Sequence, residues 1–119
     1  MMNQRELRAY FDKKTKLRET VLTLEGLRKY QSEQDAPELA AAIADMERES
    51  RTAAAELDAQ GESVLSALAA VEDAMCRTLA TLHYHQGLSW KEVCAASGMA
   101  SPGAVRNRVI RAIAKAIPK

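Results

Sequence analysis

At 119 residues the chain has room for one ordinary domain, or one small module with a helical extension, and not for two large independent cores. Aromatics make up 4% of it, Ala, Leu, Glu, Lys and Arg are plentiful and β-branched residues sparse, which favours helices and excludes a strand-rich fold. The net charge of +1 hides a basic segment 1–30 (eight Lys/Arg, four Asp/Glu), an acidic segment 31–73 (two and eleven) and a basic segment 74–119 (seven and one).

No continuous apolar stretch opens the chain, so neither a signal peptide nor a membrane-spanning helix is expected, and a cytoplasmic location is. The first predicted helix, about 3–31, carries Leu7, Tyr10, Leu17, Val21 and Leu24 at three- and four-residue steps if Lys14 fills one gap. Phe11, Leu22, Leu27 and Tyr30 widen that stripe, so more than one neighbour is expected. Residues 32–36 break the pattern, and Pro37 suits the first turn of a second helix, about 37–70, capped by Asp35 or Ala36.

Leu39, Ile43, Met46, Ser50, Ala53 and Leu57 alternate by four and three residues, and the count continues through Gly61 to Val64, Leu68 and Val71. One long helix is therefore expected, with a bend at Gly61 at most. Two such helices joined by five residues predict an antiparallel, coiled-coil-like hairpin over 1–71, the basic helix beside the acidic one. The arm is read as structural; a homodimer formed through it stays open, because two helices alone leave apolar surface to cover.

Residues 72–119 form the second predicted unit. Glu72 and Asp73 open a helix of about 72–86 whose apolar face is Met75, Cys76, Leu79 and Leu82, ended by Gly87. Ser89-Trp90-Lys91-Glu92 has the spacing of a capping box and starts a short helix, about 90–97, that ends at Gly98 with Met99 plugging the turn. Ser101 caps and Pro102 begins the last helix, about 102–117, with Val105, Val109, Ala112 and Ala116 facing inward, flanked by Ile113 and Ile117.

Short helix, glycine turn and capped basic helix is the arrangement of a helix-turn-helix, in which the second helix enters a major groove. Cys94 is read as the small residue where the two helices cross. Neither it nor Cys76 has CxxC spacing or a histidine partner, so both are expected as small packing side chains. Arg106, Asn107 and Arg111 share the outer face of the last helix and are the first candidates for DNA contact. Ser101, Gly103 and Ala104 bring backbone N–H groups with little bulk, and Lys91 suits a phosphate. Arg108 is read either as a DNA contact or as an intramolecular ion-pair partner, and for Arg77 the ion pair is the preferred reading. Trp90 beside Tyr84 is expected to pack, and His83 and His85 have no ligand-spaced partners.

Leu68, Val71, Arg77-Thr78-Leu79, Tyr84, Gly87-Leu88-Ser89-Trp90-Lys91-Glu92-Val93 and Val105-x-x-Arg108-Val109-x-Arg111-Ala112 together resemble region 4 of bacterial sigma factors, over about fifty residues. The turn between Gly98 and Val105 is one residue longer than that family's, and Cys94 stands where the family has alanine. With a long helical pair ahead of it, the chain also resembles small phage-encoded transcription regulators of the ArpU type. The resemblance implies a phage or prophage regulator that binds double-stranded DNA, with RNA polymerase as a further contact. No nucleophile–base pairing or phosphate-cradling glycine run supports an enzyme, and no cofactor or metal is implied. Two alternatives are an adaptor contacting RNA polymerase and a DNA-packaging or recombination accessory protein.

Overall fold

The computed structural model describes residues 1–119. The chain is all-helical: α1 (Gln4–Gln34), α2 (Ala40–Leu68), α3 (Ala74–Ala80), α4 (Trp90–Ser97) and α5 (Pro102–Ala116), with a 3₁₀ turn at Pro37–Leu39 and a π-helical turn at Thr81–His85. No helix is long and apolar enough to cross a membrane.

α1 starts with a capping box that the sequence reading does not identify: Asn3 Oδ1 accepts the Glu6 N–H at 2.8 Å and Glu6 Oε1 accepts the Asn3 N–H at 3.2 Å. The helix runs to Gln34, three residues past the expected end, and Asp35 turns the chain in the left-handed region at φ 48°. α2 runs without a break through Gly61, where a side-chain carbon would make an ordinary contact with His85 Nε2 at 3.6 Å.

Residues early in α1 meet residues late in α2, and Arg28 pairs with Glu47 at 3.2 Å toward the other end. The stripe expected on α2 is the one that turns inward, with Ile43, Leu57, Val64, Leu68 and Val71 buried. On α1 only Leu7, Tyr10 and Leu24 are fully covered, while Val21, Leu22 and Tyr30 are exposed. The cause is length. At about 1.5 Å per residue α1 spans about 46 Å, most of the molecule's 53 Å longest dimension, and along its distal half α2 is its one neighbour.

One core of fifteen buried residues unites the proximal half. Leu7 and Tyr10 of α1 and Leu57, Val64 and Leu68 of α2 share it with Val71, with Cys76 and Leu79 of α3, with Val93 of α4, and with Val105, Val109, Ile113 and Ile117 of the C-terminal segment. The two segments on either side of residue 71 thus bury their apolar faces in the same place. Arg77 fastens the junction by donating to the carbonyls of Val71 at 2.8 Å and Glu72 at 3.5 Å, and it forms no ion pair. This corrects the intramolecular ion pair expected for that residue.

α3 begins at Ala74 with Asp73 as its cap, accepting the Met75 N–H at 3.1 Å. Its buried face is Cys76, Leu79 and Ala80, continued by His83 in the π-helical turn; Cys76 and Leu79 of the expected face are buried, while Met75 is exposed and Leu82 half-buried. The steps from Cys76 to Leu79 to His83 are three and four, a spacing that points His83 inward.

Candidate functional site

The segment from Gly87 to Ala116 is built by local caps and then clamped by α1. Ser89 Oγ accepts the Glu92 N–H at 3.1 Å and Glu92 Oε1 accepts the Ser89 N–H at 3.0 Å, which starts α4 where the sequence places it. Gly87 and Gly98 both adopt positive φ, 75° and 71°, so each can leave its helix at an angle that a side chain would resist. Arg18 reaches across from α1: its guanidinium donates to the Gly87 carbonyl at 2.6 Å and to both Glu92 carboxylate oxygens, at 3.1 and 2.8 Å. The Arg18 hydrogen bonds, helped by the Ser89 N–H, hold the Glu92 pKa down to about 2. Glu92 is the only acid in residues 74–119, so the one carboxylate of the basic segment is already neutralised.

Cys94 does more than save volume. Its thiol donates to the Met99 carbonyl at 2.9 Å, satisfying an acceptor inside the turn between α4 and α5, and Met99 packs against the core from that turn. Ser101 Oγ accepts the Ala104 N–H at 3.1 Å, and Pro102 lacks an N–H. Of the backbone donors expected at this helix end, the Ala104 N–H is taken by the Ser101 cap, while the Ser101 and Gly103 N–H groups have no acceptor within the chain, with open space where a Gly103 side chain would be.

Val105, Val109 and Ile113 fix the inner face of α5. At about 100° per residue, Gly103, Asn107, Ile110 and Arg111 fall on the opposite arc, with Arg106 on one flank and Arg108 on the other. Lys91, Ser101, Gly103, Ala104, Arg106, Asn107, Arg108 and Arg111 are all exposed. They do not all face the same way. Arg108 donates to Asp73 Oδ2 at 3.5 Å, leaning back onto the start of α3, where that carboxylate also accepts the Cys76 thiol at 3.2 Å. The Cys76 and Met75 hydrogen bonds, with Arg108 adding its charge, keep the Asp73 pKa below the usual carboxylate value. Lys91 projects from the first turn of α4.

Under this surface lies an aromatic stack in which His83 is the central ring. Phe11 of α1 covers one face with centroids 4.0 Å apart, Trp90 of α4 covers the other at 3.6 Å, and Tyr84 meets Trp90 edge-on at 6.4 Å. His83 Nδ1 lies 2.7 Å from the Leu88 carbonyl. A carbonyl only accepts, so the proton sits on Nδ1. The stack ties α1, the π-helical turn and α4 together, and it makes Trp90 a half-buried packing residue. Of the residues that brace α4, Phe11 and His83 appear in the sequence reading in other roles, and Arg18 does not appear in it. No group of three or more His, Cys, Asp or Glu is placed to hold a metal ion.

Burial drives the His83 pKa from 6.5 down to about 4, with the Leu88 carbonyl offsetting part of the loss. Below about pH 6.5 the unfolded chain takes up a proton that the folded chain refuses until about pH 4. Stability from this group is therefore complete above pH 6.5 and falls across that window by up to about 3 kcal/mol. Thermal melts between pH 7 and 4.5 should show the decline, and His83→Gln should flatten it. An equally steep decline in H83Q would place its origin elsewhere.

No protein-family model matches this chain, and comparison with curated proteins and with solved structures finds no match.

Proposed function

We propose that the chain is a DNA-binding transcriptional regulator in which α4, the Gly98 turn and α5 act as a helix-turn-helix. In this reading α5 enters the major groove of duplex DNA and α4 lies across the backbone. The observation that carries it is the bare outer arc of α5. Gly103, Asn107, Ile110 and Arg111 are exposed there with Arg106 at the edge, α5 contains no acid, and the opposite face is locked in the core.

The chemistry fits a duplex. Arginine reads guanine edges and asparagine reads adenine edges with paired hydrogen bonds, an isoleucine can meet a thymine methyl, and a major groove about 12 Å wide admits a helix. Gly103 lets backbone approach a phosphate, and Lys91 on α4 suits a neighbouring one. The helical pair α1–α2 serves as a hairpin arm whose Arg18 and Phe11 set the pose of α4. The likeness of the C-terminal pattern to sigma region 4, and of a long helical pair ahead of such a unit to small phage regulators, supports the same reading.

The test is binding of the full chain to fluorescent duplex DNA over a salt series. The expected result is a linear fall of log affinity with log salt, with slope about −0.9 for each phosphate neutralised. Absence of salt-dependent binding to any duplex would move the function to protein interaction, with the outer face of α5 as the contact.

A further inference from the structure

A cleft of about 430 Å³ opens between α1, the π-helical turn and α5. Arg8 lines it from α1, Tyr84 from the turn, and Arg106 and Ile110 from α5. Its geometry is anchored at one end, where the Gln4 carboxamide donates to the Ile117 carbonyl and the Gln4 N–H to the Pro118 carbonyl, both at 2.8 Å. Arg8 lies one helical turn beyond Gln4 on the same stripe, so its distance from α5 is set by that anchor.

Three polar groups of the cleft, those of Arg8, Arg106 and Tyr84, are largely without partners. Arg8 forms no ion pair, the sole hydrogen bond from the Arg106 side chain is a long one of 3.4 Å to Asn107 Oδ1, and the Tyr84 hydroxyl has no partner within the protein. Burial raises the Tyr84 pKa while the charges of Arg8 and Arg106 both pull it back, so the two guanidiniums act on one hydroxyl. Two like charges at one cleft repel unless an anion joins them. Asp12, the one carboxylate lining the cleft, is unpaired with either and leaves one positive charge in excess. A phosphodiester carries one negative charge.

We propose that Arg8, Arg106 and the Tyr84 hydroxyl hold one backbone phosphate of the duplex beside the groove occupied by α5, which makes α1 part of the DNA-binding surface. The proposal rests on the DNA-binding reading above. It commits to a DNA phosphate because Arg106 and Ile110 belong both to the cleft and to the outer surface of α5, so the strand flanking the groove is the anion within reach.

The experiment repeats the salt series with Arg8→Ala, and with Lys29→Ala, at the far end of α1, as the control. Both residues are exposed, so both variants keep the fold. R8A should reduce the steepness of the salt slope by about 0.9, the release of one phosphate, while K29A leaves it unchanged. Tyr84→Phe should keep the slope and weaken binding about fivefold, the loss of one hydrogen bond. An R8A slope equal to that of the unaltered chain, or equal reductions in R8A and K29A, overturns the proposal and leaves the DNA-binding reading standing. An unaltered chain without salt-dependent binding takes both down.

Discussion

A chain ending at Gly98 should lose its tertiary structure altogether, and not merely a binding surface. Val105 and Val109 have no exposed area, and Ile113 and Ile117 are 4% and 3% exposed, all within the core that also holds Leu7, Leu57 and Val64. Removing four buried aliphatic side chains forfeits roughly 6–12 kcal/mol at about 1.5–3 kcal/mol each. That is comparable to the roughly 5–15 kcal/mol that holds a whole domain together. The truncation would also release α1 from Ile117 and Pro118 and leave Val93 of α4 facing water. Circular dichroism should show residual helix without a cooperative melt, and amide exchange should show no protected core. A sharp thermal transition in the 1–98 chain would mean that the shared core is not what holds the first two helices.

Substituting Arg106 and Arg111 together with alanine should abolish most DNA binding and leave the fold intact. Both side chains are exposed and neither forms an ion pair. Arg111 as a base contact is expected to cost about 1–3 kcal/mol, or roughly fivefold to 150-fold in affinity, and loss of Arg106 from its phosphate adds a uniform weakening across sequences. Arg108→Ala is the informative comparison, because its guanidinium already leans on Asp73 and is turned away from the outer arc. Its effect on binding should be the smaller one. Fluorescence anisotropy on duplex DNA, with a melting curve to verify folding, checks both. Unchanged affinity in a folded R106A/R111A chain would end the helix-turn-helix reading.

These predictions lean on two kinds of information. The caps of the C-terminal half were legible in the sequence because each is decided within about four residues. Ser89 with Glu92, Ser101 with Pro102, and the glycines at 87 and 98 stop or start helices through bonds to their own neighbours. The long stripe of α2 was legible for a related reason. A regular alternation of three and four residues over thirty positions admits one helical face, and that face turns inward, with Ile43, Leu57, Val64 and Leu68 buried and Met46, Ser50 and Ala53 half-buried between them.

Elsewhere several faces were compatible with the same residues. α1 is apolar on more than one side, and whether Val21 and Leu22 or Leu7 and Tyr10 are covered depends on where neighbouring helices end. Of the face expected on α3 and the turn after it, Cys76 and Leu79 are buried, and His83 takes the place expected of Leu82 because it stacks between Phe11 and Trp90.

The sequence by itself determined an all-helical chain, the starts and stops of the helices after residue 87, and a last helix with one aliphatic and one polar face, because those follow from local backbone satisfaction and periodicity. Tertiary structure alone decided that Arg18 would clamp Glu92 across 74 positions, that His83 would lie between two aromatic rings, and that Arg8 would stand across a cleft from Arg106. Such pairings join residues far apart in the chain, and only the shared core fixes the distances between them.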